Sequence, residues 1–199
     1  MSFFQRLRSR LSAPADPEAA TSALAEAERQ LRWGASVSDI RLPVREISGG
    51  NRIESAWIAL FLGELDAALE FAYAAATERP YDVDSRIVHG TVRLARNELD
   101  HAEHEFDAVI EEFGADPDAA DGRRATILAR GQAPLDELPA SDEEWDSAAV
   151  LLTTLWRVAG VVENRLTGMQ DTHADGRLVI MQALSKGQAA DREAERGTV

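Results

Sequence analysis

Residues 97 to 107 read "NELDHAEHEFD" and form the only catalytic-looking cluster in the chain: His101 and His104 stand among Asp100, Glu103, Glu105 and Asp107. Imidazole nitrogen and carboxylate oxygen are the ligands a zinc ion takes, and a zinc ion with an open position would make the chain a hydrolase. A built zinc site needs three or four fixed ligands, however. On a helix the two histidines turn away from the apolar stripe of Leu99, Ala102, Phe106 and Val109. No phosphate-binding glycine loop, H-E-x-x-H or G-x-S-x-G occurs elsewhere. His89 falls on a helical stretch and His173 in a loop. The expectation is therefore no metal, no cofactor and no catalytic residue, with a metal-dependent enzyme as the minor alternative.

The elements that carry this cluster follow from the rest of the chain. Its 199 residues are 45% hydrophobic and 28% charged, enough apolar material for a core, and contain no cysteine. The net charge of −14 argues against nucleic acid as a partner, because phosphate affinity rests on clustered Lys and Arg. The longest apolar run, Ala148 to Val162, is short for a membrane span and contains Arg157. The expected location is the cytoplasm.

A shift of 34 residues lays "GELDAALEFAYAAATERPYD", from Gly63, over "NELDHAEHEFDAVIEEFGAD", from Asn97. Glu64, Leu65, Asp66 and Ala68 fall on Glu98, Leu99, Asp100 and Ala102, and upstream Ile53, Ala56 and Leu60 fall on Ile87, Gly90 and Leu94. Two units result, 49–82 and 83–116, each with the pattern of two helices and a tight turn at Gly63 or Asn97. Caps are expected at Asn51 and at Asp82 or Asp84, and stops at Pro80 and Gly114.

This pattern resembles the tetratricopeptide repeat family, whose unit has the same length, a small residue within its first helix, a G-x-x-x-x-A step across the turn, a late alanine and a terminal proline. Ala56, Gly63, Ala68, Ala75 and Pro80 occupy those places in the first unit, and Gly90, Asn97, Ala102 and Ala108 or Val109 in the second, with Gly114 in place of proline. The family's early tryptophan is replaced by Arg52 and Arg86. The resemblance implies an all-α, right-handed solenoid of antiparallel helix pairs with degenerate flanking helices. The units reach three only in outline. Asp116 and Pro117 open a helix ending at Gly131, but Arg124 stands where a small packing residue is wanted. Ser141 and Glu144 then form a capping box opening a long helix from Asp142 towards Leu166. Helices are also expected over 17–33 and 175–184, and disorder over 185–199. The expected organisation is a basic helix at 1–11, a linker at 12–16, a helical domain at 17–184 and a tail.

Two surfaces are candidates for function. In the family, first helices line a concave peptide groove; here Ile53, Trp57, Leu60 and Phe61, with Ile87, Thr91 and Leu94, would line it. The polar side chains with which some members grip a terminal carboxylate are absent, so an apolar or amphipathic helix is the expected partner. The alternative is that the chain fills its own groove. The second surface is "MSFFQRLRSRL", in which Phe3, Phe4, Leu7 and Leu11 form one stripe flanked by Arg6, Arg8 and Arg10. It carries +3 in a chain of −14, so the other 188 residues carry −17. Such a helix suits an anionic membrane surface, here the inner membrane face, or an acidic protein. The resulting expectation is a non-catalytic protein-interaction adaptor or scaffold; the rival is a homo-oligomeric structural subunit whose N-terminal helix docks on a neighbouring copy.

Overall fold

A computed structural model of the chain describes residues 52–131, 142–168 and 180–181. Among them there are helices and no strand: α1 (Arg52–Phe61), α2 (Leu65–Glu78), α3 (Val83–Ala95), α4 (Leu99–Phe113), α5 (Pro117–Ala129), α6 (Asp142–Val158) and α7 (Val162–Gly168). Ile180 and Met181 are also helical. The fold class is all-α. The helices expected over 1–11 and 17–33, most of 175–184 and the tail lie outside the described residues.

Local chemistry sets the boundaries. The Asp82 carboxylate accepts from the Ser85 amide at 3.2 Å and the Ser85 hydroxyl at 2.6 Å, so Asp82 is the cap of α3. Asp116 accepts from the amides of Asp118 and Ala119 at 2.9 and 3.1 Å, with Pro117 at the first helical position, where no N–H is needed. The stops are left-handed residues at equal intervals: Gly63 (φ 74°), Asn97 (63°) and Gly131 (73°). At the first of these Gly63 N–H donates to Leu60 O and Glu64 N–H to Ala59 O, both at 2.9 Å, closing the helix with the paired bonds of a Schellman motif. Asn97 and Glu98 repeat the arrangement on Leu94 and Arg93. Asparagine tolerates the left-handed region better than other residues with a Cβ.

A further stop corrects the expectation of one helix from Asp142 towards Leu166. Gly160 lies at φ 68°, its N–H donates to Arg157 O at 3.0 Å, and Val161 N–H donates to Trp156 O at 2.9 Å, so α6 ends at Val158 and α7 starts at Val162. The apolar stripe continues across the break, and periodicity alone could not register the glycine as a stop.

Each helix from α1 to α7 packs against the next; α1 also meets α3, and α3 meets both α5 and α6. The second helices bury one narrow stripe, Ala68, Ala72 and Ala75 on α2 and Ala102, Phe106 and Val109 on α4. Phe106 is the wedge between α3 and α5. A Cβ on Gly90 would stand 2.9 Å from its Cε1, and one on Gly122 would stand 2.8 Å from its Cδ1 and closer still to Cε1 and Cζ. Both glycines let a helix backbone lie directly on the ring. Arg124, 34 residues after Gly90, faces elsewhere: its guanidinium donates to Glu144 on α6 at 2.9 Å and lies 3.4 Å from Asp121.

The helix α1 is apolar on nearly every side and is buried from Ile53 to Phe61. Glu54 is buried with it, and its Oε1 has no hydrogen-bond partner. Burial pushes this carboxyl above its ordinary value of 4.5. The penalty is absent below that value, where folded and unfolded chains both hold the proton, and reaches its full size once pH exceeds the folded value. Glu54→Met is expected to raise stability at pH 7 by about 1–2 kcal/mol, with the advantage closing toward pH 4.5. Urea unfolding at the two pH values measures this, and equal stability at pH 7 would contradict it.

Candidate functional site

The cluster at 97–107 resolves into separate faces of α4. Glu98, Glu105 and Glu112 recur every seventh residue and meet α3 or its end: Glu112 Oε1 lies 3.3 Å from Arg86, Glu105 Oε1 3.0 Å from His89 Nδ1, and Glu98 binds Arg93 and, at 2.7 Å, Arg96. Asp100, Glu103 and Asp107 are turned to α5 and its end: Arg130 holds Asp100 at 2.7 Å and Glu103 at 2.5 Å, and Arg123 lies 2.6 Å from Asp107. His101 and His104 are exposed between these seams. Among the described residues no group of three or more His, Asp or Glu is arranged to hold a metal ion. What looks like a ligand set is two rows of interhelical polar contacts, most of them ion pairs.

The matching groups on α3 are Arg86, His89, Arg93 and Arg96, spaced three, four and three apart along one face and the helix end. Arg96 also binds Asp66 on α2, and Arg86 Nε donates to Pro80 O at 2.7 Å. Burial alone would raise Glu98, but the hydrogen bonds from Arg96 and Arg93 outweigh it and hold its carboxyl below the ordinary range. Glu105 is likewise lowered, against burial, by its bond to His89. Asp107 goes the other way: burial, aided by the neighbouring charges of Glu103 and Glu111, raises it despite Arg123. The exposed ends of these pairs contribute little individually, Asp100 being almost wholly in water.

The His89–Glu105 pair has the form of a catalytic dyad but not its availability. Arg93 Nε donates to His89 Nε2 at 3.2 Å, and the ring is buried. The nitrogen that would act as a base already accepts a hydrogen bond.

Ile53, Trp57, Leu60, Phe61, Ile87, Thr91 and Leu94 do not line an open groove in this structure; all are buried. Trp57 and Phe61 stack with ring centroids 6.1 Å apart, and the Thr91 hydroxyl donates to Ile87 O at 2.7 Å. The helix α3 is enclosed by α1, α2, α4, α5 and α6. The signal for burial was present in the sequence: Ala56, Ile58 and Ala59 make α1 apolar outside the supposed groove stripe as well. Phe3, Phe4, Arg6, Leu7, Arg8, Arg10 and Leu11 lie outside the described residues. No described helix is long and apolar enough to cross a membrane.

The sequence reading missed the ion pairs that repeat with the helices. Arg52–Glu78, at 2.6 Å, recurs 34 residues later as Arg86–Glu112, and Asp66–Arg96 recurs as Asp100–Arg130. The shift that aligns the apolar residues would have found both. Comparison with protein-family models, with curated proteins and with solved structures returned no match.

Proposed function

We propose that the chain is a right-handed solenoid of the tetratricopeptide type that serves as a non-catalytic protein-interaction scaffold, with α1–α2 and α3–α4 as full units and α5–α6 as a third. The observation that carries this reading is one 34-residue period expressed independently in the left-handed stops Gly63, Asn97 and Gly131, in the caps Asp82 and Asp116, and in two repeated ion pairs. Helix burial alone would not produce such regularity. Arg52 and Arg86, which replace the family's tryptophan, close each unit electrostatically by reaching the end of its second helix.

The burial of the seven groove positions favours a concave side covered within the chain itself. A partner helix has to compete for those positions, and the amphipathic segment 1–11 supplies a second contact, to a protein or to an anionic membrane surface. In the rival reading that segment docks on a neighbouring copy.

Light scattering and liposome co-sedimentation on the intact chain and on one lacking residues 1–11 separate these uses. The scaffold reading expects an unchanged mass and, for the membrane contact, loss of sedimentation with vesicles containing phosphatidylserine. A mass that falls to that of a monomer on truncation supports the rival. Affinity capture from native lysate completes the test: a partner retained stoichiometrically by the folded chain and released by a destabilised variant is expected. Capture of nothing above background would sink the scaffold reading.

A further inference from the structure

The bonds around His89 fix its proton. Nε2 accepts from Arg93 Nε at 3.2 Å, so it carries no hydrogen, and the neutral ring must hold its hydrogen on Nδ1, where it donates to Glu105 Oε1 at 3.0 Å. Arg93 continues to Glu98, and Arg96 joins Glu98 to Asp66. A single line of contacts therefore runs from the middle of α4 through α3, around the α3–α4 turn and onto α2. His89 is the one member of this line whose charge ordinarily changes between pH 5 and 8.

We propose that His89 and Arg93 form a proton-operated latch in the seam between α3 and α4. When the ring takes a proton from water at Nε2, the lone pair that accepted the Arg93 N–H is consumed. Two N–H donors and two positive charges then face each other, and the guanidinium leaves the ring. Arg93 keeps its bond to Glu98, so it is released at one end only, and Glu105 stays on the Nδ1 side and holds the new imidazolium. Protonation thus exchanges a bridge spanning Glu105, His89 and Arg93 for two separate pairs. It cuts the connection between the middle of the seam and the turn.

The surroundings favour a local response. From α2 the Tyr73 ring meets His89 edge-on at 6.1 Å. From α4 come Glu105 and, through its influence on Glu105, His104. From α3 itself come Arg93 and, one turn before the ring, Arg86, which is engaged by Pro80 O and Glu112. No hydrogen bond or ion pair joins the ring to α1, α5 or α6 among the described residues. Tyr73 is exposed, so the latch lies under a side chain that water and partners reach.

Nitrogen-detected NMR of the full chain from pH 8 to 5.5 tests the proposal. At the upper end His89 should show a bare Nε2 and a protonated Nδ1, with a slowly exchanging Arg93 Nε–H. That Arg93 signal should be lost to exchange at the midpoint at which the ring gains its second proton. In Arg93→Gln, which removes the cation beside Nε2, the ring should accept its proton more readily than in the wild type, and in Glu105→Gln less readily. An Arg93 Nε–H that persists through the His89 transition would overturn the latch. So would an Arg93→Gln ring titrating at or below the wild-type midpoint, or a wild-type ring that stays neutral to pH 5.5. If Arg93→Gln fails to fold, the wild-type titration decides alone.

Discussion

Phe106→Ala is expected to lower stability by about 3–5 kcal/mol, the range for emptying a closed aromatic site, and the melting temperature by on the order of 10 °C. The ring is fully buried and fills the space that α3 and α5 leave by carrying glycine against it. Gly90 and Gly122 are both helical, so neither backbone can move in to fill the void without shifting its whole helix. The same geometry makes Gly122→Ala informative. Alanine favours a helix by about 1 kcal/mol over glycine, but its Cβ would strike a ring held on its other side by Gly90. Overpacking of about 1–3 kcal/mol should outweigh the gain. In the Phe106→Ala background that Cβ enters empty space, both terms become favourable, and Gly122→Ala should stabilise. This reversal of sign, read from urea unfolding of the four chains, is the signature of direct contact. The same sign in both backgrounds would show that the wedge does not hold α3 and α5.

The wedge also marks how far the sequence could be read. The helices α1 to α5, the turn at Asn97, the stop at Gly131 and the stripe Leu99, Ala102, Phe106 and Val109 all follow from periodicity and from residues that tolerate left-handed backbone. The 34-residue shift then points from Ala56 and Gly90 to position 124 as the next small contact, and that position holds arginine. The contact is made instead at Gly122. A helix between two others is met on two faces, and α5 meets the preceding α4 with one and the following α6 with the other. A repeat shift maps each residue onto its counterpart but does not say which neighbour that face will meet. The groove positions were ambiguous for a related reason: Ile53, Trp57 and Leu60 are apolar whether a partner, the chain itself or the core covers them. His101 and His104 were legible as outward-facing because the first copy has Ala67 and Glu70 there, and selection of a metal site would act on all ligands together.

Arg124→Ala, which restores a small residue at the position of Ala56 and Gly90, should nevertheless destabilise the chain by about 3 kcal/mol. The reason is what Arg124 does on the face toward α6. Its guanidinium lies against Asp121, and Asp121 also accepts from the Ser147 hydroxyl of α6 at 2.9 Å, while Glu144 receives the outer end of the guanidinium. Asp121 and Arg124 are both buried, so removing the cation takes a charged neighbour away from a carboxylate in the core. One consequence separates this account from simple loss of packing. Adding Asp121→Ala to Arg124→Ala should recover most of the loss, since removing both partners leaves no buried charge. If the double variant is instead less stable than Arg124→Ala by the full cost of a second truncation, the network acts as separate contacts. If Arg124→Ala costs less than about 0.5 kcal/mol, within the range of an inert substitution, α6 is held by its apolar side chains alone. The expected result makes the α5–α6 pair different in kind from α3–α4: Gly90 leaves room for Phe106 of the paired helix, whereas Arg124 meets Glu144 of α6 directly and Ser147 of α6 through Asp121.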